Sequence, residues 1–166
     1  MKKNIIISIL FCVVVVAGLI LLVAKSTPSS DGEVNGGEIA AGSLFAEETY
    51  FDFGTVSMSE GKISHDFKIK NTGTNPATIR KVYTSCMCTT AILKMGDEQM
   101  GPYGMPGHGS IPTINKTMVA GEEATITVVF DPNAHGPAGV GLIQRTVTVE
   151  NDGKPIELDF KVIVTP

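Results

Sequence analysis

The chain has 166 residues, 13 of them basic and 17 acidic, for a formal charge of −4. This length suits one domain with a terminal appendage and excludes a large multi-domain enzyme. After Lys2 and Lys3 no run of Lys or Arg occurs, so the chain carries no electrostatic footprint for a phosphate backbone and nucleic acid is not an expected partner.

An apolar run from Ile5 to Ala24, closed by Lys25, follows the basic start. As a helix it would span roughly 30 Å, the thickness of a bilayer core. A cleaved signal peptide has a shorter apolar region of about 7 to 15 residues and a small-x-small cleavage site, so residues 1–25 are read as a retained signal anchor. Cys12 sits inside this run and does not match an acylation site. Lys2 and Lys3 precede the run, whereas Asp31, Glu33, Glu38, Glu47 and Glu48 follow Lys25. The positive-inside bias then places the amino terminus in the cytoplasm and the carboxyl-terminal domain in the periplasm or outside the cell. Residues 26–48 are rich in Ser, Gly and acids, lack an apolar period, and read as a flexible tether.

From Tyr50 to Pro166 there are 10 basic and 12 acidic residues, so function there must come from particular side chains rather than from net charge. Ile63, His65, Phe67 and Ile69 alternate with polar neighbours, the period of a half-buried strand. The same alternation runs through Ala124, Ile126, Val128 and Phe130, and again from Ile156 to Val164. Arg145 to Glu150 is expected to join the last strand through a hairpin turn at Asn151-Asp152-Gly153. Further strands are expected at Thr49 to Val56, Ala77 to Tyr83, Cys86 to Leu93 and Ile114 to Val119. The pattern predicts an all-β fold over 49–166, an immunoglobulin-like antiparallel β-sandwich of about 7 to 8 strands. There is no Trp and no well-spaced Cys pair, so apolar burial must hold it together.

The segments YFDFGTV (50–56), HDFKIKNTG (65–73), SCMCTT (85–90), GEEATITVVFDP (121–132) and RTVTVEND (145–152), in that order, resemble the bacterial domain of unknown function number 1573. That family is similar to the immunoglobulin-like modules of the Hydin and major sperm protein group. The resemblance implies a fold and an envelope location, and no established reaction. The chain departs from the family pattern at Met87, where a small residue is usual, at Ala120, where Pro is usual, and in an insertion over 94–112.

Cys86-Met87-Cys88 is the sharpest chemical feature. In a strand, positions i and i+2 project on one face and present both sulfurs together. A disulfide between them would be strained and easily reduced, whereas two thiolates suit a soft ion such as Cu(I). The insertion adds Met95, Met100, Met105 and His108 in a segment with five Gly and three Pro, which can bury little. Folded back, it would complete a Cu(I) site with Cys86 and Cys88; otherwise it is an ordinary loop, or an oxidant sink through methionine sulfoxide. His65 reads as a hydrogen-bonded rim or core residue, and His135, in a Gly/Pro-rich turn, as exposed; neither has a neighbouring nucleophile motif. Asp97-Glu98 and Glu122-Glu123 read as solvated pairs, and no HExxH, CxxC or phosphate-cradling motif occurs, so an enzyme is not expected.

The leading reading is therefore a non-catalytic, membrane-anchored envelope module that acts on a protein partner or surface and needs no cofactor. The first alternative is a Cu(I)-binding protein using the residues just named. The second is a thiol redox protein at Cys86 and Cys88.

Overall fold

A computed structural model describes residues 43–166. The anchor expected at 1–25 and the tether residues 26–42 lie outside the described residues. Among those described, no helix is long and apolar enough to cross a membrane.

Ten strands form two five-stranded sheets. They are β1 (Leu44–Ala46), β2 (Tyr50–Ser57), β3 (Ile63–Asn71), β4 (Ala77–Thr84), β5 (Thr89–Met95), β6 (Glu98–Tyr103), β7 (Lys116–Met118), β8 (Glu123–Phe130), β9 (Gly141–Asn151) and β10 (Ile156–Thr165). One sheet runs β1-β3-β8-β5-β6 and the other β2-β10-β9-β4-β7. Period-two alternation does its expected work, since Phe67, Ile69, Ile126, Val128, Ala91 and Leu93 of the first sheet and Ile79, Val82, Val147, Val149, Leu158, Phe160 and Val162 of the second join one buried cluster. Burying each of the larger side chains contributes about 1.5 to 3 kcal/mol. Among the described residues the two cysteines, Cys86 and Cys88, are free, so no disulfide between them staples this core.

Three expectations are corrected. The sandwich has ten strands rather than seven or eight, because two short or Gly-containing segments also pair. Residues 44–46, in the stretch read as tether, form β1 against β3. Within the insertion, Gly96 at φ 54° makes with Asp97 a tight turn that folds β6 back on β5, with Leu93 opposite Met100 and Met95 opposite Glu98. The sheets are also not wholly antiparallel, for β2 runs parallel to β10 along one edge. Finally, the strand expected from Cys86 begins only at Thr89, because Cys86 to Thr89 closes a turn instead.

Buried Asn71 ends β3 and satisfies the loop after it. Its amide nitrogen donates to the carbonyls of Asn75 and Met118, and its side-chain oxygen accepts from Gly73 N–H. The hairpin expected between β9 and β10 is present, with Asn151 Oδ1 accepting from Gly153 N–H. His65 lies at the rim of the core, stacked on Phe51 with ring centroids 3.6 Å apart and hydrogen-bonded to Glu48 at 2.7 Å.

Candidate functional site

The turn that carries the two cysteines is also where the chain passes from one sheet to the other, from β4 to β5. Thr89 N–H donates to the carbonyl of Cys86 at 3.1 Å, which closes a four-residue turn with Met87 and Cys88 at its centre. The buried hydroxyl of Thr84 lies 3.0 Å from the carbonyls of both Cys86 and Thr89. Ser85 N–H donates to the Thr146 carbonyl, Thr146 N–H donates to Ser85 Oγ, and Asp131 N–H donates to the Cys88 carbonyl. The turn is thus tied to β9 and to the segment after β8, and its side chains have little room to wander.

In this turn the sulfurs converge. Cys88 Sγ lies 2.8 Å from Cys86 Sγ, and Cys88 N–H approaches the same Cys86 sulfur at 3.5 Å. From the connection between β8 and β9, His135 Nε2 reaches within 3.2 Å of Cys86 Sγ. The three ligand atoms of Cys86, Cys88 and His135 all lie within 4.8 Å of one another. Cys86 keeps 8% of its surface exposed and Cys88 3%, while His135 is open to solvent.

Local interactions place His135. Asn133 N–H donates to Asp131 Oδ1, Asn133 Nδ2 donates to the Met58 carbonyl, and Gly136 N–H donates to the Asn133 carbonyl. Close against the ring's stem is Gly139, where an added Cβ would stand only 3.3 Å from the Cβ of His135.

Arg145 on β9 completes the surroundings. Its guanidinium is near enough to favour charge on both sulfurs, its Nη1 donates to the Gln144 carbonyl, and its buried Nε has no hydrogen-bond partner. Among the described residues it forms no ion pair with a carboxylate, so the sulfurs are its negative counterpart. Burial opposes ionisation of Cys86. The Cys88 thiol, the Cys88 N–H, His135 and Arg145 together outweigh it, and bring the Cys86 thiol down to about 6. Cys88 moves the other way, raised first by burial and then by its neighbour Cys86. The pair is therefore one thiolate beside one thiol at neutral pH.

The sequence-predicted ligands separate. Cys86 and Cys88 are brought together, though by a turn rather than by strand alternation. Met95 is buried at the far end of β5, six residues and roughly 20 Å along the strand from the turn. Met100 sits opposite Leu93 and packs on the core. Met105, half-buried, follows Gly104, whose carbonyl accepts from Thr84 N–H next to the cysteine turn. His108 is exposed and is not in the close group of ligand atoms. The sequence around His135 holds no nucleophile motif, yet the fold brings its ring to the Cys86 sulfur. Its 49-residue separation from Cys86 gave no local pattern to read.

Residues 44–100 match the family model described as Protein of unknown function (DUF1573). The match covers about a third of the chain. The DUF1573 match contains β1 to β5 and the cysteine turn, but ends before His135 and Arg145. No curated protein matches the chain. A solved protein of unknown function from Porphyromonas gingivalis W83 is similar in fold, with a TM-score of 0.55 and 16% identity over 74% of this chain and 47% of that one. The chain thus spans about half the length of that relative. A family 123 glycoside hydrolase from Clostridium perfringens is similar with a TM-score of 0.50 and 7% identity, over 70% of this chain and 22% of the hydrolase. The PapD-like domain 7 of human CEP192 is 11% identical over 75% of this chain and 87% of that domain, with a TM-score of 0.46. For the first two of these the likeness is one of fold alone.

Proposed function

We propose that this DUF1573 domain is a non-catalytic soft-metal module that holds Cu(I) between Cys86, Cys88 and His135. The convergence of those three donor atoms within 4.8 Å carries the reading. Cu(I) accepts thiolate and imidazole ligands, whereas structural Zn(II) almost always takes four. Charge points the same way. Two thiolates around a monovalent ion leave one negative charge, which Arg145 balances; around a divalent ion they leave none, and Arg145 becomes an uncompensated, half-buried cation. Binding is favoured over turnover because, among the described residues, no carboxylate is hydrogen-bonded to His135 to orient it as a general base.

The test is anaerobic Cu(I) competition with the full chain in a Cys12→Ser background, which removes the third thiol. One ion per chain is expected, with affinity falling by more than about a hundredfold in the Cys86→Ser, Cys88→Ser variant and by at least about tenfold in His135→Ala, since losing even a group that only supports a ligand costs about 10- to 100-fold. Met100→Leu and His108→Ala are expected to bind as the parent does. Equal affinity in the parent and the double serine variant would overturn the proposal.

The apolar run at 5–24 makes the module an exported, membrane-held one in this reading, with the amino terminus cytoplasmic. Protease accessibility in intact and permeabilised cells tests that placement. A second reading, an envelope interaction module, has its own support on another face. Leu142 of β9 and Ile163 of β10 are register partners, 63% and 43% exposed, and Val140 beside them is exposed as well.

A further inference from the structure

We propose that Cys86 and Cys88 carry out thiol–disulfide exchange with low-molecular-weight disulfides, Cys86 attacking and Cys88 resolving. The two sulfurs are already in contact at 2.8 Å, so they need to close by less than about 1 Å to reach disulfide bonding distance. Their roles differ by surroundings. Cys86 sulfur receives the Cys88 N–H, the Cys88 thiol and the His135 ring, with Arg145 alongside; all are groups that favour negative charge on that sulfur. Cys88 is more deeply buried and makes a weaker contact, 3.6 Å, with the Thr89 hydroxyl. Access is also unequal, for Cys86 is the more exposed of the pair and lies beside the exposed His135.

The reaction balances in two steps. The Cys86 thiolate attacks one sulfur of a small disulfide RSSR, forming a Cys86–SR mixed disulfide and expelling RS⁻. Cys88 then gives up its proton and attacks Cys86 Sγ, forming the Cys86–Cys88 bond and expelling the second RS⁻. The two protons of the original thiols end on the two released thiolates. The protein pair loses two electrons, and one small disulfide becomes two thiols. No metal enters these steps, so the activity stands or falls separately from Cu(I) binding, although the oxidised pair has no thiolate left to offer an ion.

The experiment uses the full chain with Cys12→Ser, metal-free in the presence of chelator, equilibrated in buffers of reduced and oxidised glutathione, quenched by alkylation and weighed by mass spectrometry. The parent is expected to pass to an intramolecular disulfide without accumulating a glutathione adduct. Cys88→Ser should accumulate one adduct at Cys86, and Cys86→Ser should react at least about tenfold more slowly, because the remaining thiol is buried and lacks the donor cluster. His135→Ala should slow adduct formation in the Cys88→Ser background, and far-ultraviolet circular dichroism confirms that each variant is folded. A folded parent that forms no intramolecular disulfide at any buffer ratio overturns the proposal, as do equal adduct rates for the two single variants. Cu(I) titration of the same preparations separates the two readings. A chain that binds Cu(I) without exchanging disulfides refutes this one alone, and one that exchanges without binding refutes only the metal reading.

Discussion

At the scale of single residues, the Cys86 thiolate gives the site its character, and pH is its direct handle. A thiol is ordinarily about 8.5 in an unfolded chain, against about 6 for Cys86 in the folded one. A folded value below the unfolded one means that ionisation favours folding. That contribution is complete above about 8.5, falls as pH drops, and is gone below about 6. Cys88 is shifted upward, so its own effect has the opposite sign and acts on the alkaline side. Thiolate absorbance in the ultraviolet should therefore show a step near pH 6 that Cys86→Ser removes and that His135→Ala or Arg145→Met moves upward. Urea unfolding between about pH 6 and 8.5 should show stability rising with pH in the parent and a flatter profile in Cys86→Ser. A parent whose first thiolate step lies at 8 or above would show that the donors around Cys86 do not act on it.

Among the elements, the short turn between β4 and β5 matters more than any strand. Its geometry is held from inside by the Thr84 hydroxyl, which serves two buried carbonyls, and from outside by Ser85 and Asp131. Thr84→Val keeps the shape of the side chain but leaves Cys86 and Thr89 carbonyls without this donor. The expected cost is about 1 to 3 kcal/mol in urea unfolding, together with an upward move of the Cys86 thiolate step as the sulfurs lose register. A variant as stable as the parent with an unchanged thiolate step would show that the turn does not need this hydroxyl. The insertion is an element whose role changed on folding. Gly-Asp between two alternating stretches is a hairpin signal in its own right, and its five glycines and three prolines masked it. Once the hairpin forms, Met95 and Met100 belong to the core of the first sheet, and their thioethers serve packing there.

At the largest scale, a single apolar core, with Cys86 and Cys88 both free, must position two sheets so that β9, the β8–β9 connection and the cysteine turn meet. Phe160 of β10 is 1% exposed and meets Phe53 and Phe130 edge-on, at centroid distances of 5.4 and 5.5 Å. Phe160→Ala should cost about 3 to 5 kcal/mol in urea unfolding, with loss of Cu(I) affinity wherever the fold is lost. A cost below 1 kcal/mol would mean that the core closes around the gap. The outer face of β9 and β10 makes a separate demand. If Leu142 and Ile163 meet an envelope partner, Leu142→Glu should reduce cross-linked recovery of that partner while leaving the thiolate step in place; unchanged recovery would count against this face.

The residues alone determined the class of fold, since alternation at Ile63 to Ile69, Ala124 to Phe130 and Ile156 to Val164 needs only the period-two geometry of a strand to be read. They also singled out Cys86 and Cys88, because two thiols one residue apart are chemically conspicuous in any local conformation. The third donor and the counter-cation belong to tertiary structure. His135 and Arg145 stand 49 and 59 residues from Cys86, and no local period or spacing connects them to it. Sheet pairing carries β9 beside β4, and the connection after β8 over the turn, and that packing places an imidazole and a guanidinium against two sulfurs. The methionines show the converse, for their soft sulfurs suggested ligands, but burial of apolar surface along β5 and β6 places Met95 and Met100 with the core.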